Sequence, residues 1–335
     1  MHLRRSDSSN LSLLTYTSDR VGGYLDDVPI HGISMLGNEA TDLVSIDLSF
    51  LKDYTCSESV KVVGSSNGLV CLVTGVHCNE AKDMDGVEIS EIIIWNPATR
   101  QCRVIPKPLL AENINYRPAT STFGFGFSDN HNTNDYKIVG IFHKQVQVFT
   151  RSTNCWRQVE GSVFPSHNDY FRGDSICLNG VLYWMAPAIS DRSFERLVLS
   201  FNLRDEALDV IQLPSTGGVL DRRLLSWKNS LAFTCVVAFG INEIQGWAKT
   251  SDDSDESTGT WTKPFSIDSS ILSAYGRIIG IWKDQVLIQS VTINGFGLFL
   301  YDPKTETRGQ CLPKPEAMNY YNAKLVNYVE SLVLV

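Results

Sequence analysis

The sequence predicts an all-β fold, a β-propeller-like ring of about six four-stranded blades, and three observations predict it. Short apolar runs alternate with turn-forming clusters along most of the chain. The strand-turn-strand unit of Glu91 to Pro106, EIIIWNPATRQCRVIP, recurs downstream as VQVFTRSTNCWRQVE, LVLSFNLRDEALDVIQLP and GLFLYDPKTETRGQCLP. The strands are rich in Ile, Val, Leu and aromatic residues on both faces, as strands are when each sheet is covered on two sides.

Taken in order, residues 1–60 carry two strands, Leu11 to Tyr16 and Asp42 to Phe50, separated by a Gly- and Asp-rich connection from Ser18 to Asn38. From Lys61, KVVGSSNGLVCLV reads as a strand, a turn at Asn67-Gly68 and a strand, since Asn-Gly supplies the two left-handed residues of a tight hairpin. A connection from Thr74 to Ser90 leads to Ile92–Trp95, the turn Asn96-Pro97-Ala98-Thr99 and Cys102–Ile105. The next units are FGFGFSDNHNTNDYKIVGIF with VQVFTRSTNCWRQVE, and DSICLNGVLYWMA with LVLSFNLRDEALDVIQLP. LLSWKNSLAFTCVV follows with INEIQGWAK and TGTWTKPFSID, then RIIGIWKDQVLIQS with GLFLYDPKTETRGQCLP.

Two rulers agree on the period. Trp95, Phe149, Phe201 and Tyr301, the aromatics before each second turn, step by 54, 52 and 100 residues, the last being twice 50. The first turns, at Asn67, Asn179, Asn229 and Asp284, step by 112, 50 and 55. A four-stranded unit of this length is a propeller blade, close to the kelch period. One blade cannot bury both of its faces, so the ring must close. The ending YNAKLVNYVESLVLV reads as two strands, and with the two N-terminal strands it is expected to form one composite closing blade. Residues 1–60 are thus expected to serve closure, and 61–335 to form the propeller proper.

A net charge of −8 argues against nucleic acid or an anionic membrane as the main partner, because both require a basic surface. No run of about 18 apolar residues occurs, and MHLRRSDSSNLSLL has too short an apolar segment for a secretory signal. The eight cysteines form no C-x-x-C pair and read as buried thiols of a reducing compartment, with no metal and no disulfide framework. The expected location is the cytoplasm or nucleus. No cofactor is expected.

Gly64-Ser65-Ser66-Asn67-Gly68 matches the G-x-S-x-G of a nucleophile elbow, which makes Ser66 a candidate hydrolase nucleophile. An elbow requires a helix after the Ser, and Leu69–Val73 continues as strand, so a hairpin turn is expected. Gly124-Phe125-Gly126 lacks the third glycine of a dinucleotide loop and reads as a strand whose glycines let blades approach closely. The six histidines are dispersed beside turn residues, as surface loop histidines are. A carboxylate-based, glycosidase-type propeller stays open on spacing alone.

The ordered series GSSNGLVCL, IIIWNPATR, FGFGF…DYKIVGI, VFTRSTNCWR, LNGVLYWMA, LVLSFNL, TWTKPFSI and YVESLVLV resembles the F-box associated domain of plant F-box proteins, including the S-locus F-box and F-box/kelch-repeat groups. The resemblance runs over about residues 60–335. It implies a substrate receptor of a Skp–cullin–F-box ubiquitin ligase, in which an N-terminal F-box docks the Skp adaptor and this domain captures the protein to be ubiquitinated. No F-box is spelled in the sequence, and Met1–Ser6 resembles the segment that normally follows one. The expectation is a truncated receptor that meets Skp and cullin only if an F-box is supplied upstream. A fragment that folds and binds nothing is the remaining alternative.

In an antiparallel blade the first and third turns share one face, and the second turn shares the other with the link between blades. The tight turns at Asn67-Gly68, Asn96–Thr99, Asn179-Gly180, Leu203–Glu206 and Asp302–Lys304 should therefore lie together. The long loops Thr74–Ser90, Lys107–Ser121, Gly161–Asp174, Pro187–Arg196 and Ser215–Arg222 should lie opposite. They carry Tyr116, Arg117, His167, Tyr170, Phe171, Arg172, Arg192 and Phe194, residue types enriched at interface hot spots, and these are the expected partner-binding residues. The acidic insert KTSDDSDESTG, within Ala248 to Thr260, is expected to be a solvated hairpin tip.

Overall fold

The computed structural model describes residues 11–17, 30–36, 43–46, 59–77, 87–109, 121–128, 135–142, 145–160, 164, 175–187, 196–216, 219–237, 243–250, 260–268, 277–292, 295–311, 324–329 and 331–335. Among them are 24 strands in six four-stranded antiparallel sheets. β1 (Leu11–Thr17), β2 (Ile30–Leu36) and β3 (Leu43–Ile46) pair in series. Blade 1 is β4 (Ser59–Ser66), β5 (Leu69–His77), β6 (Val87–Asn96) and β7 (Gln101–Ile105). Blade 2 is β8 (Ser121–Phe127), β9 (Tyr136–Phe142), β10 (Gln145–Thr150) and β11 (Cys155–Val159).

Blade 3 is β12 (Ile176–Leu178), β13 (Val181–Pro187), β14 (Arg196–Asn202) and β15 (Ala207–Gln212). Blade 4 is β16 (Val219–Trp227), β17 (Ser230–Val237), β18 (Glu243–Lys249) and β19 (Trp261–Asp268). Blade 5 is β20 (Arg277–Trp282), β21 (Gln285–Thr292), β22 (Gly295–Asp302) and β23 (Thr307–Cys311). The last strand, β24 (Lys324–Tyr328), pairs with β1 and completes the closing blade in the order β24-β1-β2-β3. The first strand of each blade touches that of the next, and β24 touches both β20 and β4, so the ring is closed.

Period-two side-chain alternation explains why the blades stack. In β6, Ile92 and Ile94 face blade 2, where they meet Phe125, Tyr136 and Phe149. Ile93 and Trp95 face the other way, toward Val326 and Tyr328 of β24. In β10 the same rule sends Phe149 toward blade 1 and Val146 and Val148 toward Leu182, Trp184 and Phe201 of blade 3. Both faces of each sheet therefore lose apolar surface to a neighbour, at about 25 cal/mol per Å² removed from water. The glycines of β8 permit that approach. A Cβ on Gly124 would stand 2.6 Å from Trp184 Cζ2, and one on Gly126 2.4 Å from Cys177 Sγ.

Closure differs from the expected two-plus-two arrangement. Three N-terminal strands join one C-terminal strand, because Ile30–Leu36, inside the stretch read as a connection, forms β2. With β1 on one side and β3 on the other, β2 gains backbone ladders on both edges, and these hold a strand whose His31-Gly32-Ile33-Ser34 spelling is weakly apolar. The second expected C-terminal strand, Ser331–Val335, enters no sheet. β24 ends at the tight-turn face, and the chain crosses there onto blade 1 instead.

The registers place the first and third turns of each blade on one face. In blade 1, Ser66 pairs with Leu69 and Asn96 with Gln101 at the same end of the sheet. Two longer connections also open on this face, 128–135 in blade 2 and 250–260 in blade 4. Several of the expected long loops are shorter than their spelling suggested. β5 runs on to His77 and β6 starts at Val87, and Val219–Arg222 is already strand β16. Their apolar or alternating residues extend the ladder beyond the turn signals that seemed to bound them.

Candidate interaction surface

Four tight hairpins at the centre of one face share a backbone. Asn67-Gly68, Asn179-Gly180, Lys228-Asn229 and Lys283-Asp284 all have two consecutive positive φ angles, from 46° to 80°, the geometry whose twist matches that of paired strands. Farther out, the turns between third and fourth strands repeat a second pattern. Asn96 Oδ1 accepts from the amides of Ala98 and Thr99, Asn202 Oδ1 from those of Arg204 and Asp205, and Asp302 Oδ1 from those of Lys304 and Thr305. Each turn ends on a left-handed residue four positions later: Arg100, Glu206 and Glu306, with Asn154 in the same place in blade 2. The side-chain carbonyl or carboxylate closes the turn locally, which frees the residues around it to face outward.

These outer turns clamp one blade to the next. Arg157 of β11 donates to the Glu206 carboxylate of blade 3, and Lys137 Nζ lies 2.8 Å from the same carboxylate and 2.6 Å from the Leu203 carbonyl. Burial and the neighbouring Arg157 pull the Lys137 ammonium below its ordinary value even with Glu206 beside it. One blade earlier, Arg103 of β7 donates to Asn154 Oδ1 at 2.9 Å. Tryptophans repeat the theme: Trp156 Nε1 donates to the Pro106 carbonyl at 2.6 Å and Trp261 Nε1 to the Gln212 carbonyl at 3.2 Å.

Arg103 has a second arginine, Arg151, near it on this rim. Arg151 sits with its guanidinium 5.8 Å from the centre of the Tyr136 ring, and the buried Tyr136 hydroxyl faces Arg103. Burial raises the Tyr136 phenol above its ordinary value, against the pull of Arg103 and Arg151. The Asp135 carboxylate, beside them, is taken up by the Ser152 amide at 2.8 Å and hydroxyl at 2.6 Å. Elsewhere on this face Lys283 Nζ lies 4.7 Å above the Trp282 ring, and Lys304 Nζ 3.6 Å from Asp284.

The chain end lies across the same face of blade 1. Asn96 is fully buried, and its Nδ2 donates to the carbonyls of Ser331 at 3.0 Å and Val333 at 2.8 Å. Val333 and Val335 pack on the core shared by blades 1 and 2, while Leu332 and Leu334 are 69% and 65% exposed. The crossing passes directly over Gly68, where a Cβ would stand 2.3 Å from Ser331 Cβ.

At the opposite end of blade 4, Glu243 collects Ser266 Oγ, Gln245 Nε2 at 2.8 Å and Lys263 Nζ at 3.3 Å. The hydrogen bonds from Ser266 and then Gln245 hold its carboxyl below the usual range. Gln245 passes the chain on through its Oε1, which accepts from Trp247 Nε1 at 3.0 Å.

The expected partner-binding residues Tyr116, Arg117, His167, Tyr170, Phe171, Arg172, Arg192 and Phe194 lie outside the described residues. So does the acidic insert from Ser251 to Gly259, although its anchors are described: the Thr250 amide donates to the Thr260 carbonyl at 2.8 Å. Gly64–Gly68 is not a nucleophile elbow. Ser66 is the last residue of β4, the chain turns at Asn67-Gly68, and β5 follows with no helix. The reading of the cysteines as buried thiols holds for Cys71 and Cys235, where burial raises the thiol, and Cys102 is half-buried and pushed up to about 11. It fails at Cys155, which opens the outer strand β11 and is exposed. The interblade clamps escaped the sequence reading altogether. Their only signal is that Arg103 and Arg157 follow the third turn of their blades at the same distance.

Comparison with known proteins points one way. The family described as F-box associated beta propeller domain matches residues 36–310. A putative F-box protein of Arabidopsis thaliana is 24% identical over 247 residues, covering 72% of this chain and 58% of that protein. A second from the same plant is 25% identical over 261 residues, covering 72% and 57%. The chain thus spans less than three fifths of the length of these two relatives. Among solved structures, a chain of Kuenenia stuttgartiensis hydrazine synthase superposes with a TM-score of 0.50 at 10% identity, over 98% of this chain and 48% of that one, a likeness of fold alone.

Proposed function

We propose, from the fact that this chain belongs to the F-box associated β-propeller domain family, that it is a protein-interaction module serving as the substrate receptor of a Skp–cullin–F-box type ubiquitin ligase. The observation that carries this reading is the family match over most of the ring, joined to relatives that are themselves F-box proteins. The fold suits the role. The apolar surface of the blades is spent between them, and a rigid disc is left whose two faces present turns and loops to a partner. The Skp adaptor and cullin join only if an F-box is supplied upstream of this domain. Capture of the protein substrate belongs to the long-loop face, with Tyr116, Arg117, His167, Tyr170, Phe171, Arg172, Arg192 and Phe194 as its contacts, in the cytoplasm or nucleus.

The test is proximity labelling in plant cells with the chain fused to a biotin ligase. A reproducible set of labelled proteins is expected for the wild type, and Tyr170→Ala with Arg172→Ala should remove the principal member of that set. An unchanged set would overturn the placement on the long-loop face. Supplying an F-box upstream should then give ubiquitination of that same protein, and its absence would overturn the ligase role.

A further inference from the structure

We propose that the rim of the tight-turn face between blades 1 and 2, built from Arg103, Arg151, Tyr136 and Asn154, is a second binding site, and that it takes an acidic side chain from a segment of a partner protein. The argument rests on two junctions of the ring that use the same parts. At the junction of blades 2 and 3, Arg157 of the outer strand meets Glu206, the left-handed residue of the next outer turn, and the charges compensate. At the junction of blades 1 and 2, Arg103 occupies the place of Arg157, but the residue in the place of Glu206 is Asn154. The geometry is kept and the negative charge is missing.

Among the described residues no hydrogen-bonded carboxylate replaces it for Arg103. Its hydrogen-bond partner is Asn154 Oδ1, which is neutral. Arg151 of the neighbouring turn holds its guanidinium 5.8 Å from the centre of the Tyr136 ring. Asp135 is drawn off by Ser152. Arg103 meets only a neutral amide beside a buried aromatic ring, and it can give an incoming carboxylate or phosphate charge-assisted hydrogen bonds. A protein segment fits better than nucleic acid, because the chain carries a net charge of −8 and a single arginine junction gives no extended basic track for a phosphate backbone. The site is on the face opposite the long loops and is tested with no loop-face substitution, so either placement can fail alone.

The test is fluorescence anisotropy with the full chain and two fluorescein-labelled octapeptides, one of glutamates and one with the two central glutamates replaced by phosphoserine. Saturable binding is expected for at least one. Arg103→Gln should weaken it about tenfold, the worth of one charge-assisted bond. Asn154→Glu should weaken it by a similar factor, because it supplies within the chain the carboxylate that Glu206 supplies one blade later. Glutamate is accommodated in this backbone, since Glu206 and Glu306 adopt it with φ of 55°, and an unchanged or raised melting temperature checks that the variant folds. Lys304→Gln, on the far side of the same face, should leave binding unchanged. Either order of the two peptides supports the site and identifies its anion. The proposal is overturned if neither peptide saturates, if Lys304→Gln weakens binding as much as Arg103→Gln, or if an oligonucleotide of equal charge binds more tightly than both.

Discussion

Arg157 crosses a blade boundary to pair with Glu206, and Lys137, on the third blade's side of the second, pairs with the same carboxylate. The side chains of Lys137 and Glu206 are both 14% exposed, so that pair lies where water screens it little, whereas Arg157 is 52% exposed and adds less. Removing its charge should therefore cost more than removing the corresponding Asn154. Glu206→Gln is expected to lower unfolding free energy by about 1 to 3 kcal/mol. Asn154→Gly, which keeps the left-handed backbone, should cost no more than about 0.5 kcal/mol. Urea denaturation of the two variants checks the order, and equal costs would show that the clamp is not electrostatic.

The tie between Asn96 and the chain end is open to a cycle. Asn96→Asp preserves the oxygen that closes the turn but replaces the two donated hydrogen bonds to Ser331 and Val333 with repulsion. A loss of about 2 to 4 kcal/mol is expected in the full chain. After removal of residues 331–335 the same substitution should cost far less. Additive costs would mean that the tail does not rest on Asn96 in solution.

Gly126 tests how closely blades 2 and 3 are packed. A methyl group there meets Cys177 Sγ at 2.4 Å and Leu203 Cδ1 at 3.0 Å. Gly126→Ala should destabilise by about 1 to 3 kcal/mol, the usual cost of overpacking. Cys177→Ala removes the offending sulfur, so the double variant should recover part of the loss. Thermal melts decide it, and absence of any rescue would place the strain elsewhere.

Glu243 predicts a limb of the pH profile. Its folded-state carboxyl titrates below the ordinary value of 4.5, so the stability it contributes is fully present above that pH and is lost as pH falls through the lowered folded value. The difference in unfolding free energy between wild type and Glu243→Gln should accordingly be largest near neutrality and shrink in acid. A difference of the same size at about pH 3 would count against this assignment.

How much of this was legible beforehand varies by level. Asn67-Gly68 and Asn179-Gly180 announce their hairpins because only a few residues accept two positive φ angles in succession. Trp95, Phe149, Phe201 and Tyr301 announce the blade period because each repeat needs one large apolar anchor at the same depth. The eight loop residues expected to bind a partner had only their residue types and loop lengths behind them. The clamps at Arg103 and Arg157 had less, since an exposed strand arginine looks the same whether it meets a carboxylate, an amide or water.

The amino-acid sequence by itself determined the all-β class, the 50-residue repeat, the alternation that buries both faces of each blade and the sharing of one face by the tight turns. Those are consequences of local backbone preference and of side-chain period, which act within a few residues. The tertiary structure alone decided that three N-terminal strands and one C-terminal strand close the ring, that the tail lies over Gly68 onto Asn96, and that Arg103 faces an amide where Arg157 faces an acid. These depend on which distant segments meet when the last gap in the ring is filled. That meeting is set by the whole apolar surface buried between blades, and no stretch of chain carries it alone.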